Sequence, residues 1–208
     1  ETSQALIRGI AARFSQFGYR IGGFDAYTAS AVMKGGGLSS SAAFEVLIGT
    51  VLNHLYNGGL VDPQRIAQVG QYAENEYFGK QCGLMDQMVS AVGGFVSINF
   101  GGERPQIRQI PFDFSKVHHH LCVTEVGSSH ENLSEEYSAI PAEMKAVAAC
   151  FGQQVLSQVS EEDFYLALPE LHDRVNDRAI LRAAHFFGET RRAKQEAQAL
   201  ENGDFDRF

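Results

Sequence analysis

The sequence predicts an α+β protein, a mixed helix-and-strand portion followed by a mostly helical one. Three observations carry that reading. Apolar residues at helical spacing alternate with short β-favouring runs over the first half, the runs do not fall into a regular strand–helix–strand series, and beyond residue 140 the pattern is helical to the end. With 208 residues, 44% of them hydrophobic and only 5 prolines, the chain is long enough for a sizeable core and is neither disordered nor repeat-built.

The elements follow in chain order. Leu6, Ile7, Ile10, Ala11 and Phe14 predict a first helix over residues 5–14, stopped at Gly18. Residues 19–32, RIGGFDAYTASAV after Tyr19, read as strand material until Gly35, Gly36 and Gly37 break the pattern. From Ser39 a buried helix is expected, with Val46, Leu47, Val51, Leu52 and Leu55 on its tightest face and Gly58 at its end. Asp62 as N-cap and Pro63 at N1 open the next helix, which carries Ile66, Val69, Ala73 and Tyr77 on one face and stops at Gly79. A short helix over residues 84–92 and a strand in FVSINF follow. Residues 101–115, with two prolines and a strand-like QIRQIPF, are the expected junction between portions 1–116 and 117–208. Beyond it the sequence predicts a buried strand in HHHLCVTEV, a polar loop GSSHENLSEEYSAI, and helices over 141–151, after Ser160, over 169–187 and over 190–200.

Charge and cysteine usage narrow the function classes. Seventeen basic residues against 25 acidic ones leave a formal charge of −8, a field that repels nucleic acid and anionic membrane. No apolar run is long enough to span a bilayer, and Cys82, Cys122 and Cys150 form neither a CxxC pair nor an even set. A reducing cytoplasm is the expected location. The chain opens on Glu and stops without an obvious closing element, and reads as an excised part of a longer protein.

Two segments carry chemistry. GGGLSSSA, residues 35–42, sets three glycines and three serines where a strand-like run feeds a helix. The unpaired N–H groups and partial positive charge of a helix N-terminus attract anions, and glycines let an oligophosphate approach. Ser39, Ser40 and Ser41 can cap the helix, donate to phosphate oxygens or offer a hydroxyl to Mg²⁺. The spacing is not that of a P-loop, because the only nearby lysine, Lys34, precedes the glycines. In the second segment, AENEYFGKQCGLMDQ, a glycine-broken turn separates Glu74 and Glu76 from Asp86, so Glu74 and Asp86 can converge. Carboxylates beside a phosphate site either hold Mg²⁺ or orient and deprotonate a substrate hydroxyl.

The pair of motifs resembles the galactokinases, within the GHMP small-molecule kinase superfamily. The CG-hydrophobe-MDQ ending is the more specific part, and SAAFEVLIGTVLNHLY and SEEYSAIPAEMKAVAACFG are similar to bacterial galactokinase sequence as well. The resemblance implies a GHMP-kinase-like fold: a ribosomal-protein-S5-domain-2-like ATP-binding portion and an incomplete ferredoxin-like C-terminal portion. It implies that Gly35, Gly36, Gly37, Leu38, Ser39, Ser40 and Ser41 wrap the ATP phosphates, that Ser41 and Glu74 coordinate Mg²⁺, and that Asp86 contacts the sugar's anomeric hydroxyl as base or orienting group. The implied reaction is transfer of the γ-phosphoryl of ATP to the C1 hydroxyl of α-D-galactose. The family's arginine followed by a hydrophobic-Gly-Glu-His run does not occur before Gly35, and its C-terminal Gly-rich motif is missing. The chain is therefore expected to be the middle of such an enzyme and inactive alone. A kinase for another sugar, such as N-acetylgalactosamine or a heptose phosphate, and a non-catalytic sugar and ATP sensor are the competing readings.

Other features are weighed against blander roles. His118, His119 and His120 are adjacent, so in a strand they point to opposite faces and cannot share one ion. Ser128, Ser129 and His130 read as a solvated loop or a sugar contact. Arg178, Arg182 and His185 form a helical stripe that Glu170, Asp173 and Asp177 are spaced to neutralise. Cys82 has no neighbouring base that would activate it.

Overall fold

The computed structural model describes residues 2–32, 37–102, 104–120, 122–124 and 134–208. The chain packs as two units, Glu1–Val96 with Leu121–Asn132, and Ser97–His120 with Leu133–Phe208.

The first unit is helical. In α1, Ser3–Gln16, the stripe Leu6, Ile10 and Phe14 is buried, as its spacing requires. Helix α2, Ser40–Asn57, ends at Gly58, whose φ of 63° is the left-handed C-cap conformation that favours glycine. Helix α3, Pro63–Tyr72, begins where Asp62 Oδ1 accepts the Gln64 N–H at 2.7 Å. It does not simply run on to Gly79: residues Ala73–Phe78 widen into a π-helical turn before Gly79, at φ 82°, ends it. Helix α4, Met85–Val92, completes the set. Ile10, Phe14, Val46, Ile48, Leu52, Val61, Ile66 and Val69 form the core.

Two expectations fail in this unit. The buried side of α2 is Ala42, Glu45, Val46, Ile48, Gly49, Leu52 and Asn53, whereas Leu47 and Leu55 are exposed. Helical spacing admitted both faces, and Asn53 decides between them: its side chain donates to the Val61 carbonyl at 3.1 Å and accepts the Val61 N–H at 3.0 Å, pinning the following loop. Residues 19–32 form no strand. Arg20 and Gly23 bond instead to α2 side chains, with Asn57 accepting the Arg20 N–H and donating to its carbonyl, both at 2.9 Å, and the Tyr56 hydroxyl donating to the Gly23 carbonyl. β-favouring residues fit a pleated surface, but only a ladder partner makes a strand.

Strand β1, Phe95–Asn99, carries the chain between the units and pairs with β2, Gln106–Ile110, in a two-stranded sheet. In the second unit, α5 spans Ser134–Cys150, α6 Glu161–Leu166, α7 Leu168–Leu171 and α8 Asp177–Glu201. Val147, Leu156, Phe164, Leu171, Ile180 and Phe187 are its core. The polar segment from Ser134 is helix rather than loop, with Pro141 inside α5. Cross-helix ion pairs hold its early turns: Arg178 and Arg182 of α8 reach Glu136 at 3.5 and 3.6 Å and both also pair with Glu143. The arginine stripe is thus neutralised by α5 and not by acids of its own segment. Helix α8 passes through Gly188, where a break is expected, and buries Ala179, Ile180, Ala183 and Phe187 before it and Ala197, Ala199 and Leu200 well after it. The described residues of HHHLCVTEV, His118–His120 and Cys122–Thr124, are exposed and form no strand.

Candidate functional site

The GGGLSSSA segment reaches α2 through a tight turn. Gly35 and Gly36, like Ser128, Ser129 and His130, lie outside the described residues. Gly37 has φ 71°, Leu38 is exposed, and Ser39 stands at the N-cap of α2 with φ 56°. That left-handed conformation is uncommon for serine and costs of order 1–3 kcal/mol unless its surroundings impose it. Ser39 makes no side-chain capping bond, so the ordinary use of a serine at this position is not taken up. Ser40 and Ser41 occupy the first turn of α2 and are partly buried.

Glu74 lies in the π turn and Asp86 in the first turn of α4. A turn of 5 residues per hydrogen-bonded step displaces the side chains that follow it, and here it faces Glu74 inward, 2% exposed. Asp86 is exposed. The residue that joins the two elements is Gln87, fully buried, whose Nε2 donates to Glu74 Oε2 and to Glu45 Oε2, each at 3.0 Å. Two carboxylates around one nitrogen fix the amide's orientation, since the flipped form would turn its carbonyl toward both. Lys80 Nζ meets Glu74 Oε1 at 3.2 Å, and Cys82 Sγ lies 3.6 Å from Gln87 Nε2. The Gln71 side chain donates to the Cys82 carbonyl at 3.2 Å, and the Cys82 N–H donates to Asn75 Oδ1 at 2.8 Å, closing the turn between π helix and α4.

The electrostatics follow from burial. Desolvation raises the Glu45 carboxyl to about 8, the Gln87 hydrogen bond opposing it only in part. Burial, together with the hydrogen bond and charge of Glu74, pushes the Cys82 thiol up to about 12. The Lys80 ammonium is held above its ordinary value: desolvation acts the other way, and the Glu74 carboxylate outweighs it.

Glu45, Gln87 and Lys80 were not singled out from sequence, and Cys82 was weighed there only as an unactivated thiol. A signal for Glu45 was present: it is a charged residue on the α2 face that buries Val46, Ile48 and Leu52. Gln87 gave none, because a glutamine at that position is equally at home on a surface. Elsewhere in the unit, a groove of about 360 Å³ is lined by Arg13, Phe17, Arg65, Tyr72, Asn75 and Glu76 among others. The Arg13 guanidinium stacks on Phe17 and Tyr72 at 4.5 and 4.4 Å. None of the expected site residues lines that groove. Among the described residues no group of three or more histidine, cysteine, aspartate or glutamate side chains is placed to hold a metal ion. His119 packs on the Phe205 ring, 4.8 Å between centroids.

Residues 5–94 match the family model of the GHMP kinases N terminal domain. The chain is 35% identical over 197 residues to a galactokinase of Streptomyces coelicolor, an alignment covering 94% of this chain and 50% of that protein. It shares its fold with the crystal structure of Lactococcus lactis galactokinase complexed with galactose, at a TM-score of 0.65 and 24% identity over 96% of this chain and 51% of that one. Residues 5–94 are thus similar to the N-terminal domain of the GHMP kinases. Within that class the chain is similar in sequence to a galactokinase, and it spans about half the length of the relatives it matches.

Proposed function

We propose that the protein containing this chain transfers the γ-phosphoryl of ATP to the C1 hydroxyl of galactose, giving galactose 1-phosphate. The observation that carries the reading is the pairing of an uncapped, left-handed Ser39 at the start of α2 with a buried carboxylate, Glu74, and an exposed one, Asp86, on elements that Gln87 ties together. Phosphoryl transfer asks for positioning and charge neutralisation more than for covalent chemistry, and these are the parts it uses.

In this reading Gly35 to Ser41 wrap the ATP phosphates with backbone N–H groups. Ser41 and Glu74 hold Mg²⁺: both are oxygen donors suited to a hard cation, and Glu74 Oε1 already faces one, the Lys80 ammonium. The bound metal supplies neutralisation of the phosphate charge. Asp86, open to solvent at the start of α4, receives or orients the anomeric hydroxyl. The finer topology belongs to the same reading: an S5-domain-2-like portion to residue 116 and an incomplete ferredoxin-like portion from residue 117. So does a reducing, cytoplasmic setting, which the absence of any disulfide among Cys82, Cys122 and Cys150 supports. The 208 residues alone turn over little ATP, since the family's arginine signature is not among them.

The test is ATP-to-ADP turnover by the full-length protein with and without galactose, and by its Asp86→Asn variant. Galactose-dependent turnover that falls about 100-fold or more in the variant is expected for loss of a positioned acid–base group. Turnover with N-acetylgalactosamine or a heptose phosphate but not galactose would replace the acceptor, and ATP binding with no turnover on any sugar would make the protein a sensor.

A further inference from the structure

Gln87 spends both protons of its side-chain amide on buried carboxylates, one from α2 and one from the π turn, and it is itself fully buried. Such an arrangement is costly to assemble in a core, where a polar side chain is retained only if its partners are fixed. It has a mechanical consequence. Glu74 Oε2 is held from the α4 side by Gln87, while Oε1 is left to Lys80, whose side chain is 60% exposed and therefore easily displaced. Glu45 holds Gln87 in turn, and Gly70 of α3 leaves room for both, since a Cβ there would lie 3.1 Å from Glu45 Cβ and 3.3 Å from Gln87 Cγ.

We propose that Gln87, anchored by Glu45, is a positioning residue that aims one oxygen of Glu74 at the divalent cation of the nucleotide site. The inference rests on the reading of Glu74 given above. The charge balance agrees with it. Two ionised carboxylates on one amide nitrogen would repel each other, and burial, which raises the Glu45 carboxyl to about 8, eases that repulsion. Glu45 Oε1 and Gln87 Oε1 are buried and make no hydrogen bond among the described residues, so the amide's hydrogen bonds all run through Nε2. Lys80 then occupies the cation's place at Oε1 until the metal arrives.

The experiment measures Mn²⁺ affinity in the presence of ATP, by the electron paramagnetic resonance signal of free Mn²⁺, and ATP affinity without metal, on the full-length protein. Gln87→Met keeps the volume and removes the amide; Glu74→Gln is the reference. Loss of an outer partner of a metal ligand lowers affinity about 10- to 100-fold. The expected result is a fall of that size in Mn²⁺ affinity for Gln87→Met with metal-free ATP affinity unchanged, a split that a merely structural role would not produce. If Gln87→Met leaves Mn²⁺ affinity within twofold while Glu74→Gln lowers it, the positioning role is overturned and the metal reading stands. If both substitutions are silent, the metal reading falls and this inference with it. Should Gln87→Met fail to fold by circular dichroism, Glu45→Met, which frees the amide from its anchor, is expected to produce the same split, and an unchanged Mn²⁺ affinity there overturns the proposal.

Discussion

Glu45 occupies a position that helical periodicity assigns to the core, and its carboxyl answers by rising from 4.5 to about 8. Between those values the folded chain binds more protons than the unfolded one, so the stability due to this group is complete below pH 4.5, declines as pH rises toward 8, and levels off above it. Thermal unfolding of wild type and Glu45→Gln at pH 5 to 8 should show the two diverging, the variant losing less, by at most about 1.4 kcal/mol per pH unit. Parallel curves would rule out a protonated Glu45. Cys82 gives a second test. A thiol pushed up to about 12 holds on the order of a thousandfold less thiolate at pH 8 than an ordinary one. Iodoacetamide labelling followed by mass spectrometry should modify Cys82 at least about 100-fold more slowly in the folded chain than in urea. Comparable rates would show that Cys82 is not buried as described.

At the scale of elements, close helix packing in the first unit depends on small residues at crossings. A Cβ on Gly9 of α1 would meet the Cβ and Cα of Ala73 at 2.7 and 2.8 Å, where backbone must move. Gly9→Ala should therefore destabilise by about 1–3 kcal/mol as an overpacked crossing. Gly188 is the opposite case: it sits in the interior of α8 with nothing within 4 Å of an added Cβ, so Gly188→Ala should stabilise by about 0.5–1 kcal/mol. Chemical denaturation of both variants checks the pair, and the same sign for both would sink the account. Helix boundaries set by local chemistry were legible in advance: Asp62-Pro63 opens α3, Gly58 closes α2, Ser160 caps α6 by accepting the Asp163 N–H at 3.0 Å. Gly188 misled because a single glycine inside a helix costs only about 1 kcal/mol and need not stop it. The π turn at Ala73–Phe78 left no local mark at all.

For the whole molecule, a net charge of −8 sets the field against nucleic acid, and no described helix is long and apolar enough to cross a membrane. On the function proposed above, an anionic nucleotide would have to be bound by local groups against this field, and the start of α2 and the cation facing Glu74 are the candidates for that role. The proposed sugar dependence has to be tested on the full-length protein, because the chain spans about half of its relatives. The galactose-dependent turnover and its loss in Asp86→Asn belong at that scale.

Residue types and spacing were enough to single out Ser39, Ser40, Ser41, Glu74 and Asp86 as candidates and to mark most helices, since caps, apolar periods and motif order are local properties of the chain. Which face of α2 turns inward, whether residues 19–32 find a ladder, and that Gln87 joins Glu45 to Glu74 across 42 and 13 residues of sequence were settled only by packing. Such contacts depend on which elements meet, and a glutamine read in sequence carries no sign of the two carboxylates that will close on it.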